Sequence, residues 1–282
     1  MKDGNHFIKI EDADALNALR MFDDFFQLQL STLKELATRS IKENDKKRIN
    51  QIYPLLDSLL TSGNSIIFLV RHGLMTEGYI IARAFLERLV NACYLLTCEQ
   101  KEFDDYVDFS MQKVYRSIQT KKDAYEKIGQ IIPVPDFSKI PIVAKGLKKY
   151  TSQRGKEITR WTTLRIDKRI EAVGEKVKDF NVQIFLATST YLYEDASEAA
   201  HGTLYGSLFH TGIFYGVPDP KKGEAYLNGL RIVMYMLLGL LVEGLLYSAQ
   251  TEIDVKDLIK VSTENFEKLR PYFEKRGKIE SA

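Results

Sequence analysis

Tyr193, Ser197 and His201 recur every four residues, a spacing that aligns three polar groups on one face of a helix. A serine four residues before a histidine can hydrogen-bond to it, which is half of a nucleophile–base pair. No orienting acid or oxyanion hole is identifiable beside them, and a histidine that caps the helix and bonds a buried partner accounts for the same residues. Glu194 and Glu198 lie on the adjacent line, seven and three residues before His201. Glu198-Ala199-Ala200-His201 therefore has the Glu-x-x-His spacing of carboxylate-bridged di-iron bundles, but such a centre needs two of these motifs and two further carboxylates. None of His6, His72 and His210 has a glutamate three residues before it. The expectation is a site without metal or cofactor.

A second pair of reactive types sits earlier. Arg83 and Glu87 are four apart in the otherwise apolar run Ile80-Ile81-Ala82-Arg83-Ala84-Phe85-Leu86-Glu87-Arg88-Leu89-Val90. Charged groups on such a helix are seldom fully buried unless paired. The plain interpretation is an exposed i,i+4 ion pair worth a few tenths of a kcal/mol. The sharper one sets Arg83 and Glu87 opposite the Tyr193–His201 strip as one polar cluster inside a bundle. Glu87 would then fix the protonation of His201, and Arg83 would hold an anionic group. His72 precedes a glycine at a helix end, where an imidazolium suits the helix dipole.

The elements that must position these residues are helical. Apolar residues at steps of three and four mark helices over about 12–42, 46–72, 76–97 and 101–129. Pro54 either starts a new segment or kinks the second one, and Asp45 is a candidate cap. Ile131 to Pro141 holds three prolines and is a loop. Short helices at 142–151 and 167–177 follow, then longer ones at 181–200, 223–250 and 254–275. The Gly- and Pro-rich 202–222 segment is long enough to suggest function. No stretch alternates with the period of a strand. The fold class expected is all-α: one multi-helix bundle with core 12–130 and 167–275 and a partly irregular insert at 131–166.

Composition excludes several classes. The 282 residues are 45% apolar and 28% charged, which is globular material rather than a disordered or disulfide-stapled chain. Cys93 and Cys98 are five apart, neither a redox CxxC pair nor a zinc knuckle, and a reduced cytoplasmic setting fits them. Met1 to Glu11 has neither a basic n-region nor an apolar h-region, so secretion is not expected. The longest apolar run, Ile232 to Val242, is shorter than the roughly 20 residues of a membrane span, so no membrane association is expected. The 223–250 helix is apolar over more than one face, as in a homodimer interface or a central core helix.

The net charge of +2 hides an uneven distribution. Residues 139–178 hold twelve Lys/Arg and four Asp/Glu, whereas 179–220 hold five acids and no Lys or Arg. A basic surface beside an acidic strip suits a phosphate-rich ligand, an RNA or a nucleotide. Solvated lysine faces and pairing with the acidic neighbour explain the same counts. Trp161, between Arg160 and Arg165, is the aromatic placed to stack on a base.

Three motifs in order carry a resemblance: Arg83-Ala-Phe-Leu-Glu87-Arg-Leu-Val-Asn91-Ala-Cys-Tyr94-Leu, Trp161-Thr-Thr, and Tyr193-x3-Ser197-x3-His201-Gly202. Over about residues 50–210 the chain resembles a bacterial family of helical proteins of unknown function, and more loosely HEPN-like bundles from phage-defence and toxin–antitoxin settings. The resemblance implies a cytosolic helical protein. HEPN ribonucleases carry an arginine separated from the catalytic histidine by four to six intervening residues; here the residues at those offsets before His201 are Ala196, Asp195 and Glu194. An arginine from another helix would have to stand in, and Arg83 is the candidate. The expected site is thus Arg83, Glu87, Tyr193, Ser197 and His201, flanked by a ligand surface of Arg160, Trp161 and Arg165. The function expected is nucleotide- or RNA-directed, with His201 as base and Arg83 as phosphate clamp. The alternative is a non-enzymatic interaction module whose polar cluster is a buried structural network.

Overall fold

The computed structural model describes residues 12–44, 47–131, 133, 136–202 and 220–274. His6, Asp45, His210 and residues 203–219 of the Gly-rich segment lie outside the described residues. Ten helices are present among the described residues, and no strand. They are α1 (Asp12–Ser40), α2 (Arg48–Gln51), α3 (Tyr53–Arg71), α4 (Met75–Thr97), α5 (Gln100–Lys127), α6 (Pro141–Lys149), α7 (Ile166–Lys176), α8 (Val182–Ala200), α9 (Pro220–Ala249) and α10 (Lys256–Glu267). The protein is all-α, as its periodicity requires.

Local chemistry sets the boundaries. Pro54 falls in the first turn of α3, where its missing N–H costs nothing, so it starts a segment rather than kinking one. α3 ends in a Schellman motif: Gly73 has φ +76°, its N–H bonds to the Val70 carbonyl at 3.1 Å, and that of Leu74 bonds to Leu69 at 2.9 Å. Asn181 caps α8 by accepting from the Ile184 N–H at 3.1 Å. At the other end His201 is the C-cap, followed by Gly202 at φ +65°.

The chain forms two compact units. The first comprises residues 1–97 and 166–282, and α4 is its axis, packed against α3, α7, α8 and α9. Tyr79, Phe85, Leu86, Leu89 and Cys93 of α4 are fully buried. α1 lies along α9, where Phe26 stacks on Tyr235 at 5.7 Å and meets Phe85 edge-on at 6.1 Å. Gly239 permits this approach, because a Cβ there would sit 2.3 Å from the Phe25 ring. By length and composition, residues 53–71 and 226–249 are long and apolar enough to cross a bilayer. Two-thirds of the second window is buried inside this fold, which uses α9 as a core helix.

The second unit spans residues 98–165 and is built on α5 and α6. The expected insert at 131–166 therefore begins too late, since α5 goes with α6 rather than with the 12–130 core. Gly146 explains the pairing. A Cβ at that position would lie 2.4 Å from the Asp108 carbonyl oxygen, so the two helices touch backbone to backbone there. Asp108 and Gln112, both buried, line the same contact. Residues 150–158 form a turn around Gly155 with one antiparallel bridge, Thr151 to Glu157.

Candidate functional site

Arg83, Glu87, Asn91 and Tyr94 follow one another at helical spacing along α4 and make a polar stripe on a helix otherwise given to the core. Arg83 Nε donates to Glu87 Oε1 at 3.1 Å. Its guanidinium carbon lies 3.9 Å from the ring centroid of Tyr193 on α8, a close cation–π contact. Arg169 on α7 donates to Asn91 Oδ1 from the other side. Burial lowers the Arg169 pKa, opposed by Glu87, Tyr94 and Tyr193, so these groups share one electrostatic environment. Burial also works against the charge on Arg83, but Glu87 and the Tyr193 hydroxyl outweigh it and raise its pKa. Both arginines stay cationic at any physiological pH.

The stripe is not sealed. The Arg83 and Glu87 side chains keep 26% and 40% of their exposure, and Tyr193 keeps 37%. An anion approaching from solvent thus meets the Arg83 guanidinium, the Glu87 carboxylate and the Tyr193 ring, with Arg169 bonded one turn further along α4 at Asn91. Beside it, the Tyr79 and Tyr191 hydroxyls bond at 2.5 Å, and Tyr191 reaches the Leu230 carbonyl of α9 at 3.4 Å. Burial pushes the Tyr79 hydroxyl well above its ordinary pKa. This pair locks α4, α8 and α9 together behind the stripe.

The remaining strip residues sit differently. Ser197 is half-buried and His201 is exposed at the end of α8. Among the described residues no hydrogen bond engages the His201 ring; its backbone N–H bonds to the Ser197 carbonyl at 3.0 Å, and that of Gly202 to the Ala199 carbonyl at 3.2 Å. Eight residues of helix put it about 12 Å along the axis from Tyr193. So Arg83, Glu87 and Tyr193 are brought together, while no contact joins His201 or Ser197 to them. His72 caps α3, with its ring Nδ1 2.7 Å from the Phe68 carbonyl and the ring against that of Phe68. Among the described residues no group of three His, Cys, Asp or Glu side chains is arranged to hold a metal ion.

Arg160, Trp161 and Arg165 belong to the 98–165 unit. Trp161 is half-buried, edge-on to the Tyr106 ring at 5.2 Å, rather than a free stacking platform. Arg160 and Arg165 are exposed. Part of the basic run is neutralised from α5, not from the acidic stretch that follows it. Asp108 accepts from Lys145 at 3.0 Å and Lys149 at 3.3 Å, and Lys149 also pairs with Asp105. Lys113 and Glu157 pair at 2.7 Å.

A family described as of unknown function, DUF5677, matches residues 51–212, more than half of the chain. The chain belongs to DUF5677. The comparisons with curated proteins and with solved structures return no match. The DUF5677 segment coincides with the 50–210 span of the resemblance and contains α3 to α8, hence the whole Arg83–Arg169–Tyr193 stripe and all of the 98–165 unit. α1 and α10 lie outside it.

Two residues of the stripe escape a reading of single helices. Asn91 continues the i,i+4 line from Arg83 through Glu87, a signal that was legible but uninformative for an amide. Arg169 is one of twelve basic residues in 139–178, and no local spacing sets it apart.

Proposed function

We propose that this DUF5677 member is a nucleotide- or RNA-directed cytoplasmic protein that takes a phosphate between Arg83 and Arg169, with Tyr193 offering an aromatic edge to the ligand. The observation that carries the reading is the placement of two half-buried guanidinium groups on one line of α4, Arg83 against Glu87 and Tyr193, and Arg169 against Asn91 one turn further on. Desolvated arginines bind phosphate oxygens more strongly than solvated lysines do, because less water competes for the charge. Glu87 neutralises one of the two cations, which sets the preference at one phosphate group rather than a polyphosphate. His201 enters as general base only for a ligand that spans about 12 Å from Tyr193, as an oligonucleotide does and an isolated phosphate does not.

The test is binding of a labelled single-stranded RNA hexamer and of a mononucleotide to the full chain at two salt concentrations. Arg83→Ala and Arg169→Ala are each expected to weaken binding at least tenfold and to flatten the salt dependence by about one phosphate contact. RNA cleavage lost in His201→Ala, with binding kept, would support the general-base role. The proposal fails if wild-type protein binds neither ligand, or if neither arginine variant changes the affinity. A structural network is the second reading, favoured by the partners that Arg83 and Arg169 already have within the protein, namely Glu87, Tyr193 and Asn91.

A further inference from the structure

A groove of about 410 Å³ runs between α1 and the C-terminal end of α10, within the size range of small-molecule sites and outside the DUF5677 segment. Along α1 it follows Asn17, Arg20, Met21, Asp24 and Leu28, three turns of one helix face. Its apolar floor is Met21, Phe25 and Leu269, and Leu28, 39% exposed, extends it. Among the described residues, three charged side chains line it: Arg20, Lys268 and Asp24.

Asn265 lines the groove on the α10 side. Only 4% of this residue is exposed. Its Oδ1 accepts from Lys268 Nζ at 3.0 Å, which fixes the amide orientation, and its buried Nδ2 has no acceptor. Arg20 and Asp24 are four apart on α1 yet form no ion pair with each other. The groove thus offers two cations for an anionic group, one carboxylate for a cationic group, and an apolar surface between.

We propose that this groove binds a small zwitterion with an apolar side chain, an α-amino acid of the leucine or phenylalanine type. The carboxylate is taken by Arg20 and Lys268, the ammonium by Asp24, and the side chain by Met21, Phe25 and Leu28. A ligand carrying only a carboxylate leaves Asp24 unmatched and repelled; one carrying only an amine leaves the two cations unmatched. The groove is open along one side, which sets the expected Kd on the order of 0.1–1 mM.

Saturation-transfer NMR and isothermal titration of the full chain with phenylalanine, leucine, 3-phenylpropionate and phenethylamine test this. Phenylalanine and leucine are expected to bind, with the two single-charge analogues at least fivefold weaker. Arg20→Ala and Asp24→Asn, both at exposed positions, are expected to raise the phenylalanine Kd at least fivefold with an unchanged circular-dichroism spectrum. The proposal is overturned if neither amino acid binds, or if 3-phenylpropionate equals phenylalanine and Asp24→Asn has no effect. Arg83→Ala is expected to leave phenylalanine binding intact, so this result is independent of the phosphate reading.

Discussion

In the first unit, Arg83 and Arg169 project from the sides of core helices, and their partners are a ring, an amide and one carboxylate. In the 98–165 unit, Lys145 and Lys149 lie on α6 at 64% and 36% side-chain exposure, matched by the carboxylates of Asp105 and Asp108. The charge type is the same and the solvent is not. Water reaches the lysine ends of these pairs, whose charge is matched by buried Asp108 and by Asp105, whereas the half-buried guanidinium groups have lost hydration that a ligand oxygen can replace. A count of basic residues gives greater weight to the second unit, although the cations better placed for recognition are in the first.

The contrast can be tested by substitution. The largest effect is expected from Gly146→Ala, which forces a methyl to within 2.4 Å of the Asp108 carbonyl and must part α5 from α6. A loss of about 3 kcal/mol is expected in urea denaturation; an unchanged midpoint would mean that the two helices are not held by that contact. Next come Arg83→Ala and Arg169→Ala. If the stripe is a binding site, each alters stability by about 1 kcal/mol or less while phosphate-ligand affinity drops, since functional polar groups seldom add stability. Melting temperatures lowered as far as in Gly146→Ala, with no affinity change, would turn the stripe into a structural network.

Smaller still is Lys145→Ala, where Lys149 continues to serve Asp108. About 0.5 kcal/mol or less is expected, and a loss above about 2 kcal/mol would show the ion pair to be far less screened than its exposure indicates. The smallest effect is a pH dependence at the α1–α10 junction. The Arg39 guanidinium, 2.6 Å away, holds the Asp257 carboxyl down at about 2. The folded pKa lies below the ordinary aspartate value near 4, so the pair stabilises above that value and loses its contribution as pH falls toward 2. With Asp257 mostly exposed, screening limits this to a few tenths of a kcal/mol. Comparison of acid denaturation for wild type and Asp257→Asn checks it, and superimposable curves between pH 4 and 2 would remove the pair from the account.

Much of the fold was legible because helix ends are written locally. His72-Gly73 and His201-Gly202 stop α3 and α8 where the sequence places the stops, each glycine accepting a positive φ. Arg83 and Glu87 were legible as a pair for the same reason, since i and i+4 are neighbours on any helix. The membership of α5 was not legible. Its apolar stripe fits a core helix equally well, and the deciding contact, Gly146 against Asp108, joins residues 38 apart.

Sequence alone determined that the chain is helical, where most helices stop, and which side chains share a helix face. Those follow from backbone hydrogen bonds and a 3.6-residue period that involve only near neighbours. Tertiary structure decided that Tyr193 rather than His201 meets Arg83, that Arg169 joins from α7, and that Trp161 rests on Tyr106. Those depend on how far each helix slides and turns against another before its side chains interlock, a property of the packed surfaces together that no single helix carries.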